Sequence, residues 1–402
     1  MIGMNMGSKP SAQIAVVGGG PSGLVAALAL GKAGVKTVLF APPVAAPDRR
    51  TTALLDGSVQ ALRELGVWDV LAAQSAPLEK LRLVDGTSRL VRAPEVLFSC
   101  DELGLDAFGH NIENEILRAE LRAAVERSPS VQIIEQAVTE IVTGEDCVVL
   151  RTGADQVPVS LVVAADGRQS IGRRAAGIET DRREFPQVAL TMNLRHTRPH
   201  ANVSTEFHTE TGPFTLVPLP GQRSSLVCVV DPRQADELSA LDDAALAREI
   251  ERRAYSILGR MEIGGARGRF PLSIETARRL AARRIALVGE AGHLLPPIGA
   301  QGLNLGIRDA MTIAELAADA VKRGRDPGGE TVQNAYEERR KQDVTSRALA
   351  VELFNRSLLS GFLPVQVARA AGLEVAARVG PLRRAIMRQG LGPARLMRGE
   401  TV

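Results

Sequence analysis

Three stretches of this chain combine glycines with a few polar residues at spacings that suit close approach of backbone to a ligand. They are GGGPSG at 18–23, ADGRQSIGRRAAGI at 165–178 and GEAGHLLPPIGAQGLNLGIRDA at 289–310. In the first, Gly18, Gly20 and Gly23 fit GxGxxG, and such glycines let main chain lie against a pyrophosphate whose charge rests at a helix N-terminus. In the second, Asp166-Gly167 is a turn signal. The third holds five glycines and the adjacent Pro296 and Pro297, a costly use of backbone freedom unless something must approach closely. Side chains that could do chemistry alone are scarce. There is no Ser–His–Asp arrangement and no paired-carboxylate signature. His196 and His200 stand four apart, but Pro199 lies between them in a strand-like region, so with His208 they make a poor zinc set, and no metal site is predicted. His293 reads as a buried structural hydrogen bond, and Asn304 and Asp309 as local caps. This distribution fits chemistry supplied by a bound cofactor.

The elements that must position these stretches follow from the apolar spacing. Ile14 to Val17 reads as a short strand, Leu24 to Ala33 as a helix ended by Gly34, and Lys36 to Phe40 as a second strand. That is a βαβ start with glycines at the strand-to-helix turn. The place where an acid often meets an adenosine ribose is taken here by Ala41, Pro42 and Pro43, so NAD as a resident ligand gains no support. Helical spacing runs from Ser58 to Leu71 and from Ile112 to Glu126. Val131 to Val142, Cys147 to Leu150 and Leu161 to Ala164 read as strands, and Ser170 opens a helix carrying Arg173 and Arg174. From about Gln187 to Val230 the runs VALTMNL, VSTEFH, FTLVPL and SLVCVV alternate as in an antiparallel sheet. Asp236 to Leu258 reads as one amphipathic helix, Gly268 to Ile274 as a returning strand, Ile285 to Val288 as a buried strand and Glu330 to Leu359 as helix.

Bulk properties bound the answer. At 402 residues, 45% hydrophobic and 24% charged, the chain can bury two or more cores as an ordinary globular protein. A net charge of +3 and 3% aromatic residues argue against nucleic acid as a partner. Cys100, Cys147 and Cys228 are far apart with no CxxC pair, which fits a reducing compartment; Cys147 and Cys228 read as small core residues. No run reaches the roughly 18 apolar residues of a membrane span, so a cytoplasmic location is expected, with a peripheral stay on the inner membrane left open.

Taken in this order and spacing, the three glycine stretches resemble the single-component flavin-dependent aromatic hydroxylases of the para-hydroxybenzoate hydroxylase type. The resemblance runs from about residue 12 to residue 345. Within that family, GSVQALRELGVWD at 57–69 and PPIGAQGLNLGIRDA are most similar to the ubiquinone-biosynthesis ring hydroxylases. The resemblance implies an α/β fold: a Rossmann-like FAD-binding domain over 12–75, 100–182 and 278–340, an inserted antiparallel β-sheet substrate domain over 76–99 and 183–277, and a C-terminal helical region over 341–402. It implies that Gly18, Gly20 and Gly23 hold the FAD pyrophosphate and adenosine, and that Asp166 and Gly167 close over the pyrophosphate and serve NAD(P)H. Arg50, opening RTTAL, matches the family's arginine near FAD, and Asn114, in NEILRAEL, falls where the family has Arg or Gln near the flavin. Glu290 stands where many relatives have aspartate for a ribityl hydroxyl, and Gly302, Leu303 and Asn304 lie along the ribityl chain and ring. The flavin and substrate loop is Pro296, Pro297 and Gly299, with no side-chain acid or base assigned. Gly299, Gly302 and Gly306 would let main chain lie flat against the ring, with the proline carbonyls free to face a substrate.

The implied reaction uses NAD(P)H and O2, through a flavin C4a-hydroperoxide, to hydroxylate an activated phenol. For a prenylated quinone precursor, an apolar slot is expected from Leu190, Met192, Phe207, Phe214, Leu216, Val217 and Pro218, at least half of them plain core. The tail from Val365 onward, with seven arginines against two glutamates, is a candidate surface for anionic lipid, for partners of a quinone-biosynthesis complex, or simply for solvent. Two other readings stay open at this point: a hydroxylase of a soluble phenolic, and a non-catalytic flavoprotein fold that serves in assembly.

Overall fold

The run IAVV forms a strand, Ile14–Val17, buried along its whole length. A strand with no solvated face belongs inside a parallel sheet. It pairs in parallel with Thr37–Phe40 on one side and Leu161–Ala164 on the other. Val131–Ile134, Ile285–Leu287 and Ala281–Ala282 extend this to six strands in a computed structural model that describes residues 13–43, 48–88, 92–153, 155–359 and 379–391. The chain leaves Ile14–Val17 toward Thr37–Phe40 and returns later on its other flank. The gap between the carboxyl ends of Ile14–Val17 and Leu161–Ala164 is therefore the switch point of the sheet, where ligands of such folds bind.

Helix Pro21–Lys32 follows the first strand and packs against helix Gln301–Lys322. Close packing is possible because Gly306 has no side chain; a Cβ there would lie 2.4 Å from Ser22 Oγ. Leu24, Leu28, Leu30, Leu305, Ile313 and Ala317 fill the space between the helices and their neighbours. At about 1.5–3 kcal/mol for each large apolar side chain fully buried, this layer dominates the stability of the unit.

A second, large sheet runs mostly antiparallel. Its centre is the long strand Thr180–His196, flanked by Gly268–Ala277 and Arg223–Val230, and continued by Pro213–Leu219, Val203–His208, Lys80–Asp85 and Val96–Ser99. Alternation sorts its side chains onto two faces. Leu190, Met192, Leu194, Phe207, Phe214, Leu216, Leu226 and Cys228 share one face with Ala235, Leu238, Leu246 and Ile250 of two covering helices. Five of the seven residues expected to line an apolar slot are thus ordinary core beneath helices.

Several elements differ from their sequence expectations for local reasons. Ser58 to Leu71 is two helices, Asp56–Glu64 and Trp68–Ala72, parted by Gly66 at φ +76°. Ile112 belongs to strand Gly109–Glu113, where it pairs with Thr52, and the helix begins only at Asn114. Val131 to Val142 divides into Val131–Ile134 and Glu140–Thr143. Asp236 to Leu258 is two helices, Pro232–Ala240 and Asp243–Arg253, because Asp231 and Asp242 each accept a backbone N–H and start a helix anew. Cys228 is buried, whereas Cys147 is half-buried.

Helix Glu330–Leu359 runs alongside both sheets. A shorter helix, Gly380–Leu391, docks on the edge strand Val96–Ser99 through Met387 and Arg383. Arg383 meets Glu102 at 2.6 and 2.7 Å and lies over the Phe98 ring. Among the described residues no helix is long and apolar enough to cross a membrane. Arg395 and Arg398 of the basic tail lie outside the described residues.

Candidate cofactor and substrate site

The three glycine stretches, far apart in sequence, meet at the switch point. Gly18 sits at φ +119° with its Cα against the Ala165 carbonyl; a Cβ would come within 2.2 Å of that oxygen. A Cβ on Gly23 would lie 2.0 Å from the Gly18 carbonyl oxygen. On the other flank, Ser22 fills the space left by Gly289 and Gly306. These glycines are therefore explained by the packing of the motifs on one another. Gly19 and Ala41 are small for the same reason, since a Cβ on Gly19 would be 2.8 Å from Ala41 Cβ.

Gly20 and Gly302 are different. Neither has a protein atom within 4 Å of a Cβ built on it, and neither has a left-handed φ that would demand glycine. Gly20 is the N-cap of helix Pro21–Lys32, without a side-chain cap and with no acid in the first turn. Gly302 lies in the first turn of helix Gln301–Lys322, which likewise has neither. Free N–H groups and the positive ends of two helix dipoles thus border open space, an environment for an anionic, flat-lying ligand. Beside them Asp166 turns inward. Its Oδ2 accepts the Gly172 N–H at 3.1 Å, while its buried Oδ1 has no partner among the described residues. Gly167, at φ +78°, makes the turn that places it.

Arg50 and Asn114 are brought together by strand Thr51–Leu55 pairing with Gly109–Glu113. Asp48, which the sequence reading missed, joins them: Arg50 donates to it at 2.7 Å through Nε and Nη2, and Asn114 Nδ2 donates at 3.0 Å. Asn114 Oδ1 accepts from Thr52 Oγ1 at 2.5 Å. Partial burial alone would raise the Asp48 carboxyl, but the Arg50 and Asn114 hydrogen bonds and the Arg50 charge bring it down to about 2. Glu290 projects from the turn Gly289–Ala291 and pairs with Arg168 at 3.2 Å, joining the second and third glycine stretches across the crevice.

The loop before helix Gln301–Lys322 is tightly held. Pro296 is buried and its carbonyl accepts the Ile298 N–H at 2.7 Å; the Gly299 carbonyl accepts from Gln301 Nε2 at 2.8 Å. These internal bonds correct the expectation of a wholly free proline carbonyl row. Gly299 and Ala300 take φ +65° and +53° in succession. Leu303 packs against the main core, and Asn304 ties the helix to strand Thr51–Leu55, accepting from Leu55 N and donating to Ala53 O, both at 2.8 Å. His293 and Asp309 meet at 2.6 Å, and Asp309 also accepts from Gly289 N at 3.0 Å and Arg340 Nε at 2.8 Å. Burial would raise the Asp309 carboxyl, but the charges and hydrogen bonds of His293 and Arg340 hold it far below the usual range. His293 is thus a structural partner, as its position suggested.

The uncovered face of the large sheet meets strand Gly109–Glu113. Asn111 Nδ2 donates to Pro218 O at 2.9 Å and to Ser225 Oγ at 3.1 Å. Glu113 accepts from Asn193 at 3.2 Å and Arg223 at 2.6 Å. Asn193, Ser225 and Val217 are register partners in one row, and Thr191, Val227 and Thr215 form the next. These residues, not the apolar set of opposite parity, stand on the face that meets strand Gly109–Glu113. A signal existed: Asn193 interrupts the apolar run VALTMNL with a side chain of opposite parity to Leu190, Met192 and Leu194.

Fold and crevice together define a flavin-binding α/β enzyme with an added antiparallel sheet. A family model described as FAD binding domain matches residues 11–349, and the chain belongs to that family. It is 33% identical to the ubiquinone hydroxylase UbiL of Rhodospirillum rubrum, over 96% of this chain and 93% of that protein. It is 30% identical to the 3-demethoxyubiquinol 3-hydroxylase of Escherichia coli, over 96% and 100%. In fold it is similar to the p-nitrophenol 4-monooxygenase PnpA of Pseudomonas putida, with a TM-score of 0.78, 21% identity and coverage of 96% and 99%. The cofactor is FAD, and the open space at Gly20 and Gly302 with the unpartnered Asp166 oxygen fits it.

Proposed function

We propose that this chain is an FAD-dependent monooxygenase that hydroxylates the aromatic ring of a ubiquinone precursor, with NAD(P)H and O2 as co-substrates. The observation that carries the reading is the meeting of three glycine stretches around two helix N-termini, opposite a polar sheet face, in a chain related along nearly its whole length to ubiquinone hydroxylases. When bound, FAD supplies the redox chemistry, accepting hydride equivalents and activating oxygen for transfer to the ring.

The protein's duties are then those of binding, orientation and exclusion of water. Gly18, Gly20 and Gly23 would form the pyrophosphate turn, Gly20 facing the ligand while Gly18 and Gly23 let the turn pack, with Asp166 and Gly167 closing beside it. Arg50 and Asn114, fixed by Asp48, would flank the flavin, with Glu290 toward the ribityl chain. Gly302, Leu303 and Asn304 would present the first turn of their helix, whose dipole favours negative charge on the reduced ring. Pro296, Pro297 and Gly299 would form the substrate edge of the same turn. The substrate ring would rest between that turn and the row Asn193, Ser225 and Val217. We retain the division into an FAD unit (12–75, 100–182, 278–340), a substrate sheet (76–99, 183–277) and a C-terminal region (341–402).

The finer reading is a prenylated substrate taken from an anionic lipid surface. Its support is helix Gly380–Leu391, which carries no acid and exposes Leu382 and Ile386 beside Arg384 and Arg388, the pattern of an interfacial helix. The test is direct. Purified protein should show flavin absorbance, and a prenylated phenol should stimulate NAD(P)H oxidation and yield hydroxylated product more efficiently than a short phenol. A flavin never reduced by NAD(P)H would reject the enzyme reading; preference for the short phenol would reject the prenylated one.

A further inference from the structure

Helix Glu330–Leu359 carries Tyr336, Arg340, Asp343 and Arg347 on one face, at helical spacing. The Asp343 carboxylate gathers three guanidiniums: Arg340 at 2.7 Å, Arg347 at 2.9 Å and Arg308 at 3.1 Å. Arg347 has a second engagement. Its Nη1 donates to Gln301 Oε1 at 2.8 Å, and Gln301 Nε2 donates to the Gly299 carbonyl at 2.8 Å. The chain Asp343–Arg347–Gln301–Gly299 ends on the two successive left-handed residues, Gly299 and Ala300. A non-glycine residue held there is strained and persists only when its surroundings dictate it. Here Asn304 Nδ2 holds the Ala300 carbonyl at 2.5 Å and Gln301, braced by Arg347, holds the Gly299 carbonyl before it.

The same helix reaches the other sheet. Glu352 pairs with Arg183, and Asn355 Nδ2 donates to Gln187 Oε1 at 2.7 Å, next to the irregularity between Glu184 and Val188 in the long strand. One rigid element therefore bears on the turn into helix Gln301–Lys322 and on the sheet opposite it. We propose that Arg347 is a positioning residue: through Gln301 it fixes the Gly299–Ala300 turn, and with it the placement of flavin and substrate relative to one another. This rests on the function proposed above.

Arg347→Met is the informative variant, because Arg308 and Arg340 still pair with Asp343 and the fold should survive. Hydrogen exchange of the apoprotein should rise about tenfold or more at amides 304–306, the first of that helix with intrahelical acceptors, while the thermal midpoint stays near wild type. With flavin and substrate, hydroxylated product per NAD(P)H consumed should fall about threefold or more, with KM little changed, since a small misplacement of reacting groups is costly. Arg347→Lys, which can reach Asp343 or Gln301 but not both in fork geometry, should restore only part of the loss. Wild-type exchange at 304–306 in Arg347→Met would overturn the proposal. So would an unchanged product ratio, or a uniform loss of protection across the whole protein with both variants. The exchange measurement needs neither flavin nor substrate. If the wild-type protein took up no flavin, the proposed function would fail, while exchange would still decide whether Arg347 holds the turn.

Discussion

The two sheets solve opposite problems. The central strands of the parallel sheet are buried on both faces, so Ile14–Val17 and Leu161–Ala164 are short unbroken apolar runs followed at their ends by glycine turns. The large antiparallel sheet has one face packed under helices and the other meeting strand Gly109–Glu113, so the role proposed for it lies in residues of one parity. Chemistry sits beyond the end of one sheet and on the face of the other. The same kind of side chain therefore means different things in each: an apolar residue is core throughout the first, but in the second its register decides.

The sharpest break of this comparison is at Gly18. Its Cβ would collide with the Ala165 carbonyl at φ +119°, so Gly18→Val should yield no folded, flavin-bearing protein; soluble yellow protein would contradict the packing. Next in size is the buried pair Asp309–Arg340, each side chain 1% exposed. Arg340→Met leaves the carboxylate only His293 and the Gly289 N–H and should cost about 3 kcal/mol of stability, read by denaturant unfolding. The pH dependence follows. The Asp309 carboxyl is depressed in the folded protein, so its stabilisation is complete above the unfolded pKa of about 4 and is lost as pH falls below it. Acid unfolding of Asp309→Asn should accordingly be shallower below about pH 4 than that of the wild type.

Across the large sheet the contrast is finer. Leu216→Ala, on the covered face, should cost about 2–5 kcal/mol of stability and leave the product pattern intact. Asn193→Ala, on the other face, should cost about 1 kcal/mol or less of stability yet alter KM or the position of hydroxylation. The reverse assignment of effects would mean that the faces have been exchanged. The smallest effect is expected at the outer helix: Arg384→Gln with Arg388→Gln should weaken binding to anionic vesicles by about 1 kcal/mol per charge, measured by co-sedimentation.

Much of the first sheet was legible because its signals are local. IAVV, LVVA and the glycines after them state strand, turn and helix within about ten residues, and Ile14–Val17 and Leu161–Ala164 fall on the expected residues. Helix Glu330–Leu359 was legible for the same reason. Asp48, Arg340, Asp343 and Arg347 were not, because their partners lie far away in sequence and nothing in their immediate neighbours marks them as buried or paired. Of the apolar slot, it was legible that at least half the residues are core but not which, because alternation announces that a sheet has two faces without saying which one a helix covers. Gln301 looked like one polar residue in a glycine-rich run; its brace on Gly299 depends on a left-handed turn that only the fold reveals.

What sets Gly20 and Gly302 apart from the packing glycines is open space at the start of a helix, and that is open to one direct measurement. Gly20→Ala and Gly302→Ala each place a methyl group where no protein atom lies within 4 Å. Titration of the apoproteins with FAD should find both folded, with thermal midpoints near wild type and affinity for FAD at least about tenfold weaker, a loss of about 1.4 kcal/mol or more. Wild-type affinity in both variants would show that the open space is not where the flavin lies.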